Sequence, residues 1–299
     1  MMIFNNQKNN KRFRRIVVKL KRKCVNSLLK LGEHRSPTFL CHHEAEKLHQ
    51  KYPIRDHYKY DIDSKKERAA KRFCNLSRFF HLTGVKNVVE VGAGDGRLAY
   101  LFAQNGFISH IIDIEDWRDD DVKRAKNISF NRIDPMEKYG RPANTTDLVI
   151  SYNSFEHVAD PTLALQEMIR ITRPGGYIHL EFGPLYNSPW GLHAYRTYHA
   201  PYPQFLLDKP VLQQFVVKNG IYDLGAYRQN FQYINKWALD DYRRLVSALE
   251  NRVRVIKFRP KIMTDELWVI FRYLKCFWGY NLSFDELVTA SLTITLQVK

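Results

Sequence analysis

Asn87-Val-Val-Glu-Val-Gly-Ala-Gly-Asp-Gly96 decides how the chain is read. Its first half is a short apolar run rich in valine, whose branched Cβ suits a pleated strand. Its second half places glycine at 92, 94 and 96, where a backbone without Cβ atoms turns tightly and lets a ligand come close. Helical spacing resumes at once through Leu98, Leu101 and Phe102, and Asn105-Gly106 supplies the stop. The same alternation continues outward. Ile108 to Ile114 is an apolar run ending in carboxylates at Asp113, Glu115 and Asp116, and Asn127 to Ile133 is a weaker run ending at Asp134-Pro135. Asp147 to Tyr152 is apolar again. Asp160-Pro161 then opens a helix that stops at Pro174-Gly-Gly176, and Tyr177 to Phe182 is one more strand.

Strands alternating with helices give βαβ units, hence a parallel sheet covered on both faces. The fold class is α/β, a Rossmann-like doubly wound sheet, and its ligands sit beyond the carboxyl ends of the strands. The 299 residues carry 44% hydrophobic and 26% charged side chains, which excludes a disordered chain, a collagen-like repeat and a disulfide scaffold. Cys24, Cys41, Cys74 and Cys276 form no C-x-x-C pair, so reduced thiols are expected and no metal ligands are assigned. No apolar run approaches the ~18 residues of a membrane span, which points to a cytoplasmic protein, soluble or peripheral.

Charge is concentrated at one end. The formal net charge is +16, and ten of the 47 Lys and Arg residues precede Glu33, the first carboxylate, leaving 37 basic against 31 acidic residues for the remainder. Phe13, Val17, Leu20, Cys24, Leu28 and Leu31 recur at helical spacing, while Lys11, Arg12, Arg14, Arg15, Lys19, Lys21, Arg22 and Lys23 crowd the rest of the surface. Residues 1–35 thus read as a basic amphipathic tail. It has three open destinations: its own domain, an anionic membrane surface engaged through residues 8–31, or nucleic acid. Residues 36–83 read as a helical cap in which Ala69, Phe73, Leu76 and Phe80 face inward, and residues 84–299 as the α/β domain.

The glycine turn excludes two ligand classes. A dinucleotide fingerprint needs a third glycine at position 97, which is Arg97, and no G-x-x-x-x-G-K-[ST] exists. Glu90, two residues before Gly92, suits a cationic group such as an α-ammonium or sulfonium and opposes a diphosphate.

With Val89-Glu-Val-Gly-Ala-Gly-Asp-Gly96, Ile112-Asp-Ile114, Asp147-Leu-Val-Ile-Ser151 leading into Ser154-Phe-Glu-His-Val-Ala-Asp-Pro161, and Arg173-Pro-Gly-Gly176, the chain resembles the class I S-adenosylmethionine (SAM)-dependent methyltransferases. The resemblance implies about seven strands with an antiparallel strand at the sheet edge, and SAM as cofactor. It implies that Gly92 and Gly94 line the methionine part, with Glu90 near the amino group. Asp113 would then hold the ribose hydroxyls, Asp134 the adenine amino group, and Asn153 would border the pocket. The segment at 153–157 is similar to quinone-biosynthesis O-methyltransferases, whose acid at the first position looks like a metal ligand; here that position is Asn153.

A hydroxyl acceptor needs a base or a metal, and His157, the first base candidate, follows the fourth strand where the acceptor approaches. His193 is the second candidate. It lies in an aromatic stretch, about 183–210, where substrate lids of this fold are inserted, and a further insertion spans about 260–290. The expectation is O-methylation of a small-molecule, glycan or lipid-linked acceptor. The rivals are an RNA methyltransferase that uses the tail and a SAM-fold binding protein without catalysis. Nucleic acid ranks lower because no Asn/Asp-Pro-Pro-aromatic motif and no Pro-Cys nucleophile occur. The oligomeric state is left open.

Overall fold

The computed structural model describes residues 2–55, 59–80 and 82–299, with side chains of the first helix from Ile16 onward. Helices α1 (Met2–Lys30), α2 (His42–His49) and α3 (Ile62–Phe80) precede β1 (Asn87–Val91) and α4 (Arg97–Gln104). Then come β2 (Ile108–Asp113), the short α5 (Asp120–Lys123), β3 (Ile128–Arg132), β4 (Thr146–Tyr152), α6 (Pro161–Ile171) and β5 (Thr172–Phe182). The second half contains α7 (Pro203–Leu206), α8 (Lys209–Asn219), the hairpin β6 (Ile221–Asp223) and β7 (Ala226–Arg228), and α9 (Leu239–Ala248). It closes with β8 (Val253–Ile262), α10 (Leu267–Arg272), a 3-10 turn at Leu274–Phe277, α11 (Phe284–Val288) and β9 (Thr289–Val298).

Seven strands form one sheet in the order β3-β2-β1-β4-β5-β9-β8. The first five are parallel, and β9 is antiparallel to both β5 and β8. The antiparallel strand therefore lies one place in from the edge, with β8 outside it, because β8 and β9 enter together as one antiparallel pair. Strand order reverses between β1 and β4, which opens the crevice in which sheets of this kind bind ligands.

Alternation along β1 assigns its two faces. Val89 and Val91 belong to the core under α6 and α9, while Val88 packs with Ala69, Leu76, Leu98 and Phe102 under α3 and α4. Glu90 shares the Val88 face, and so points toward α3 and α4. Asp160 caps α6 by accepting the N–H groups of Thr162 at 2.8 Å and Leu163 at 3.2 Å, as its Asp-Pro pair predicts. The last sequence-read parallel strand, by contrast, begins at Thr172 rather than Tyr177, with a register irregularity against β4 between Thr146 and Leu148.

A second core stands apart from the sheet. Val25 and Leu29 of α1, Leu48 of α2, Tyr198 to Phe215, and Ile270, Phe277 and Phe284 of the late insertion pack together. The tail, the lid and the late insertion, three additions in the sequence, thus share one interior. The body takes Val25 and Leu29, with Val18 packed against the cluster, and Arg22 pairs with Asp285 at 2.7 Å. The stripe predicted from the sequence is rotated away from this contact, leaving Leu20, Cys24 and Leu31 exposed. The side chains of Phe13, Lys11, Arg12, Arg14 and Arg15 lie outside the described residues. Among the described residues no helix is long and apolar enough to cross a membrane.

Asp147 ties three strands together. Its Oδ2 accepts the N–H groups of Lys86 and Asn87, both at 2.8 Å, while Oδ1 pairs with Arg173. Burial alone would raise its pKa, but these donors outweigh burial and hold it below the usual carboxylate value. A depressed pKa contributes stability that is present above the unfolded value, near 3.9 for Asp, and is lost as pH falls through the folded value. Asp147→Ala is expected to cost about 2–4 kcal/mol in urea unfolding at pH 7. The gap to wild type should shrink as pH falls below about 4.

Candidate functional site

Gly92, Gly94 and Gly96 all have positive φ, at 69°, 55° and 70°, a region that penalises any other residue. Their surroundings differ. A Cβ on Gly92 would stand 1.9 Å from the Ser154 hydroxyl oxygen, so the loops after β1 and β4 touch at this point. A Cβ on Gly94 would meet nothing within 4 Å, which leaves that stretch of backbone facing open space.

Asp113, the last residue of β2, holds the backbone of this turn. Its Oδ2 accepts the Gly94 N–H at 3.0 Å and its Oδ1 the Ile114 N–H at 2.8 Å. Burial pushes the Asp113 carboxyl up, and the backbone donors of Gly94, Ile114, Glu115 and Ala93 oppose that. Asp134 accepts the Met136 N–H through Oδ1 at 2.9 Å. Asn153 sits at φ 50°, which Asn tolerates, and its N–H donates to the Glu181 carbonyl at 2.9 Å.

Glu90 is buried, and its Oε2 accepts the Ala99 N–H at 2.9 Å, anchoring the first turn of α4. Burial pushes its pKa up to about 8, against the pull of Arg72. Arg97, which displaces the third dinucleotide glycine, is also buried. It forks onto Asp121 at 2.6 and 2.7 Å and reaches Asp119 at 2.7 Å. That network holds α4 against the segment after β2. Sequence reading missed the cations of α3 that face this turn, although Lys65, Arg68 and Arg72 stand at helical spacing.

The two histidines singled out in the sequence come together, with ring centroids 5.2 Å apart in an edge-on arrangement. His157 donates Nδ1–H to the Tyr233 carbonyl at 2.6 Å, which fixes the neutral tautomer with its lone pair on Nε2. That nitrogen lies 4.0 Å from Glu156 Oε1. Glu156 is buried. Its Oε1 accepts the Gly183 N–H at 3.1 Å, and its Oε2 has no partner among the described residues. Burial raises the Glu156 pKa, and a charge on His157 lowers it. His193 donates Nε2–H to the Pro184 carbonyl at 3.2 Å. Its pKa is pushed down to about 3, first by burial and then by His157. A group so hard to protonate is a poor base near neutral pH.

Much of the lid is core. Tyr198 donates to the Ala45 carbonyl at 3.2 Å and Tyr202 to the Leu287 carbonyl at 3.0 Å, both fully buried. Closer to the histidines, Tyr195 stacks on His193 at 5.8 Å. Among the described residues no group of three or more His, Cys, Asp or Glu is arranged to hold a metal ion.

The family profile described as a methyltransferase domain matches residues 55–237. An uncharacterized methyltransferase of Schizosaccharomyces pombe is 27% identical over 119 residues, 35% of this chain and 42% of that protein. One from Mycobacteroides abscessus is 32% identical over 123 residues, 38% of this chain and 46% of its own length. The chain therefore spans less than half of these two curated relatives. A ubiquinone biosynthesis O-methyltransferase of Coxiella burnetii is 24% identical over 197 residues, 64% of this chain and 76% of that one. Among solved structures, a putative sarcosine dimethylglycine methyltransferase from Galdieria sulphuraria is similar with a TM-score of 0.47 and 14% identity, over 86% of this chain and 97% of that chain.

The buried Glu90 carboxyl has a measurable signature. Because its folded pKa is raised, the native state holds this proton more tightly than the unfolded chain does, so its contribution to stability falls as pH rises from the unfolded value toward about 8. Glu90→Gln keeps an acceptor for Ala99 and removes the titration. Urea unfolding at pH 5 and pH 8 is expected to show the variant losing less stability than wild type over that interval.

Proposed function

The chain belongs to the class I SAM-dependent methyltransferase family, and on that premise we propose that it methylates a hydroxyl group on a small-molecule, glycan or lipid-linked acceptor. The observation that carries the cofactor half is the open face of Gly94 beside the Asp113 carboxylate. A ligand with two vicinal hydroxyls and a chain running along a bare backbone fits both features. In this reading Gly92 and Gly94 line the methionine part, Asp113 takes the ribose hydroxyls, the second oxygen of Asp134 takes the adenine amino group, and Asn153 borders the pocket. When bound, SAM supplies an electrophilic methyl group on a sulfonium.

His157 is the base. Its Nε2 accepts the hydroxyl proton of the acceptor as the oxygen attacks, and its Nδ1–H stays on the Tyr233 carbonyl throughout. The new imidazolium then faces Glu156 at 4.0 Å, where the positive charge favours the ionised carboxylate. His193 remains neutral and packs edge-on against the His157 ring. The ring of Tyr195 stacks on His193 from the lid side.

Calorimetric titration with SAM, S-adenosylhomocysteine and NAD tests the cofactor. Binding of the two adenosyl ligands and not of NAD is expected. His157→Ala should then slow turnover of a hydroxylated acceptor by about 10²–10⁴-fold while leaving cofactor affinity near wild type. Undiminished turnover would remove His157 as the base.

The tail supports work at an anionic membrane surface. Ile16 and Leu20 are 49% and 64% exposed on a helix whose other side is held by the body, and Leu31 just past its end is 67% exposed, in a segment with ten cations and no acid before Glu33. Apolar side chains flanked by Lys and Arg suit the boundary between headgroups and acyl chains. Val25 and Leu29 belong to the second core, so the test keeps the full chain and changes only the free face. Ile16→Glu with Leu20→Glu is expected to abolish co-sedimentation with phosphatidylserine-containing vesicles. Equal pelleting of this variant, or retention of wild type on RNA and not on vesicles, would overturn the assignment.

A further inference from the structure

Helix α10 opens with an unbroken apolar run, Leu267-Trp-Val-Ile-Phe271, and the fold buries only one side of it. Leu267, Val269 and Ile270 enter the second core, which also takes Val25 and Leu29 of α1. Trp268 and Phe271, one turn apart, face outward and are 41% and 43% exposed. A surface helix ordinarily puts polar residues on that face. Here both faces are apolar, so the outer one still presents aromatic surface to solvent.

Neighbouring segments extend this face. The Trp268 ring lies nearly parallel to that of Tyr52, with 6.4 Å between centroids, and Lys51 Nζ stands 5.8 Å over Trp268. Beyond the other end of α10, the Thr38 N–H donates to the Lys275 carbonyl at 3.1 Å. Leu40 turns from there into the second core, while Phe39 stays exposed. Between residues 261 and 275 the exposed charges are Lys261, Arg272 and Lys275 against Asp265. Glu266 is buried and accepts the Tyr52 hydroxyl at 2.8 Å. The patch is therefore aromatic and basic: Phe39, Trp268 and Phe271 among Lys51, Arg272 and Lys275.

We infer that this patch is a second contact of the protein with an anionic membrane surface, an assignment that rests on the tail reading above for its partner. Trp and Phe side chains settle at the boundary between headgroups and acyl chains, and Lys and Arg meet the lipid phosphates. Charge opposes a second copy of the chain as the partner, because a two-fold contact would lay this basic patch on itself. The tail and α10 approach the membrane from one shared interior, since Val25 and Leu29 pack with Ile270 and Phe277. Two weak contacts on one body reinforce each other.

The test is co-sedimentation of the full chain with vesicles of equal parts phosphatidylserine and phosphatidylcholine. Trp268→Ser with Phe271→Ser is expected to weaken vesicle affinity about tenfold or more. On vesicles with brominated acyl chains, bound wild type should lose tryptophan fluorescence, and Trp268→Phe should remove most of that quenching. Wild-type affinity in the serine pair, where Ile16→Glu with Leu20→Glu no longer pellets, overturns the α10 contact and leaves the tail reading standing. Loss in the serine pair, where the tail variant pellets like wild type, supports α10 and overturns the tail. Wild type that does not pellet overturns both. Unchanged quenching in Trp268→Phe overturns the α10 contact, as does a vesicle-free dimer that the serine pair converts to monomer. If thermal unfolding shows that the serine pair does not fold, Arg272→Gln with Lys275→Gln decides on the same vesicles by the same criterion.

Discussion

The approach of the Gly92 backbone to Ser154 governs the whole active end of the sheet. The two loops meet where strand order reverses, and any side chain at 92 would drive them apart. Their contact leaves Gly94 beside an opening rather than against a neighbour. Just beyond Ser154, Phe155 enters the core, Glu156 turns inward to the Gly183 N–H and His157 reaches the Tyr233 carbonyl.

Most of the sheet was legible because its strands are buried on both faces and read as apolar runs closed by Gly, Pro or Asp. The stretch Asn87 to Gly96 announced strand and turn, and Asp160-Pro161 announced a helix. Helix α8 carries a similar capping cue in Asp208-Lys-Pro210. The place of β9 inside the sheet was less legible. An alternating strand reveals that one neighbour is present but not which strand lies beyond it. In the site, the backbone requirements at the glycines, Asp113 and the pair of histidines came from local pattern. The α3 cations did not, because a charged helix face reads as solvated until something acidic is seen opposite it.

The tail shows the same limit in another form. Helical periodicity found an apolar stripe, but two adjacent stripes exist on this helix, one through Val18, Val25 and Leu29 and one through Leu20, Cys24 and Leu31. Periodicity alone cannot say which of them the body takes. The choice is made by the partner surface, where Asp285 receives Arg22 and Phe284 donates its N–H to Asn26. Once these polar contacts set the rotation of the helix, the second stripe is left outward together with the flanking lysines.

The electrostatics of the crevice follow from the direction of β1. Its alternation turns Glu90 toward α3 and α4, and the turn after β4 buries Glu156, so two carboxyls with raised pKa stand near the ends of adjacent strands. Buried carboxyls of this kind are costly as anions unless positive charge stands nearby. Arg72 of α3 supplies that charge from outside the sheet. Residues 62–80 therefore do two things with one helix. The Ala69 and Leu76 side closes the core over β1 and β4, and the Lys65, Arg68 and Arg72 side balances the acids at the strand ends.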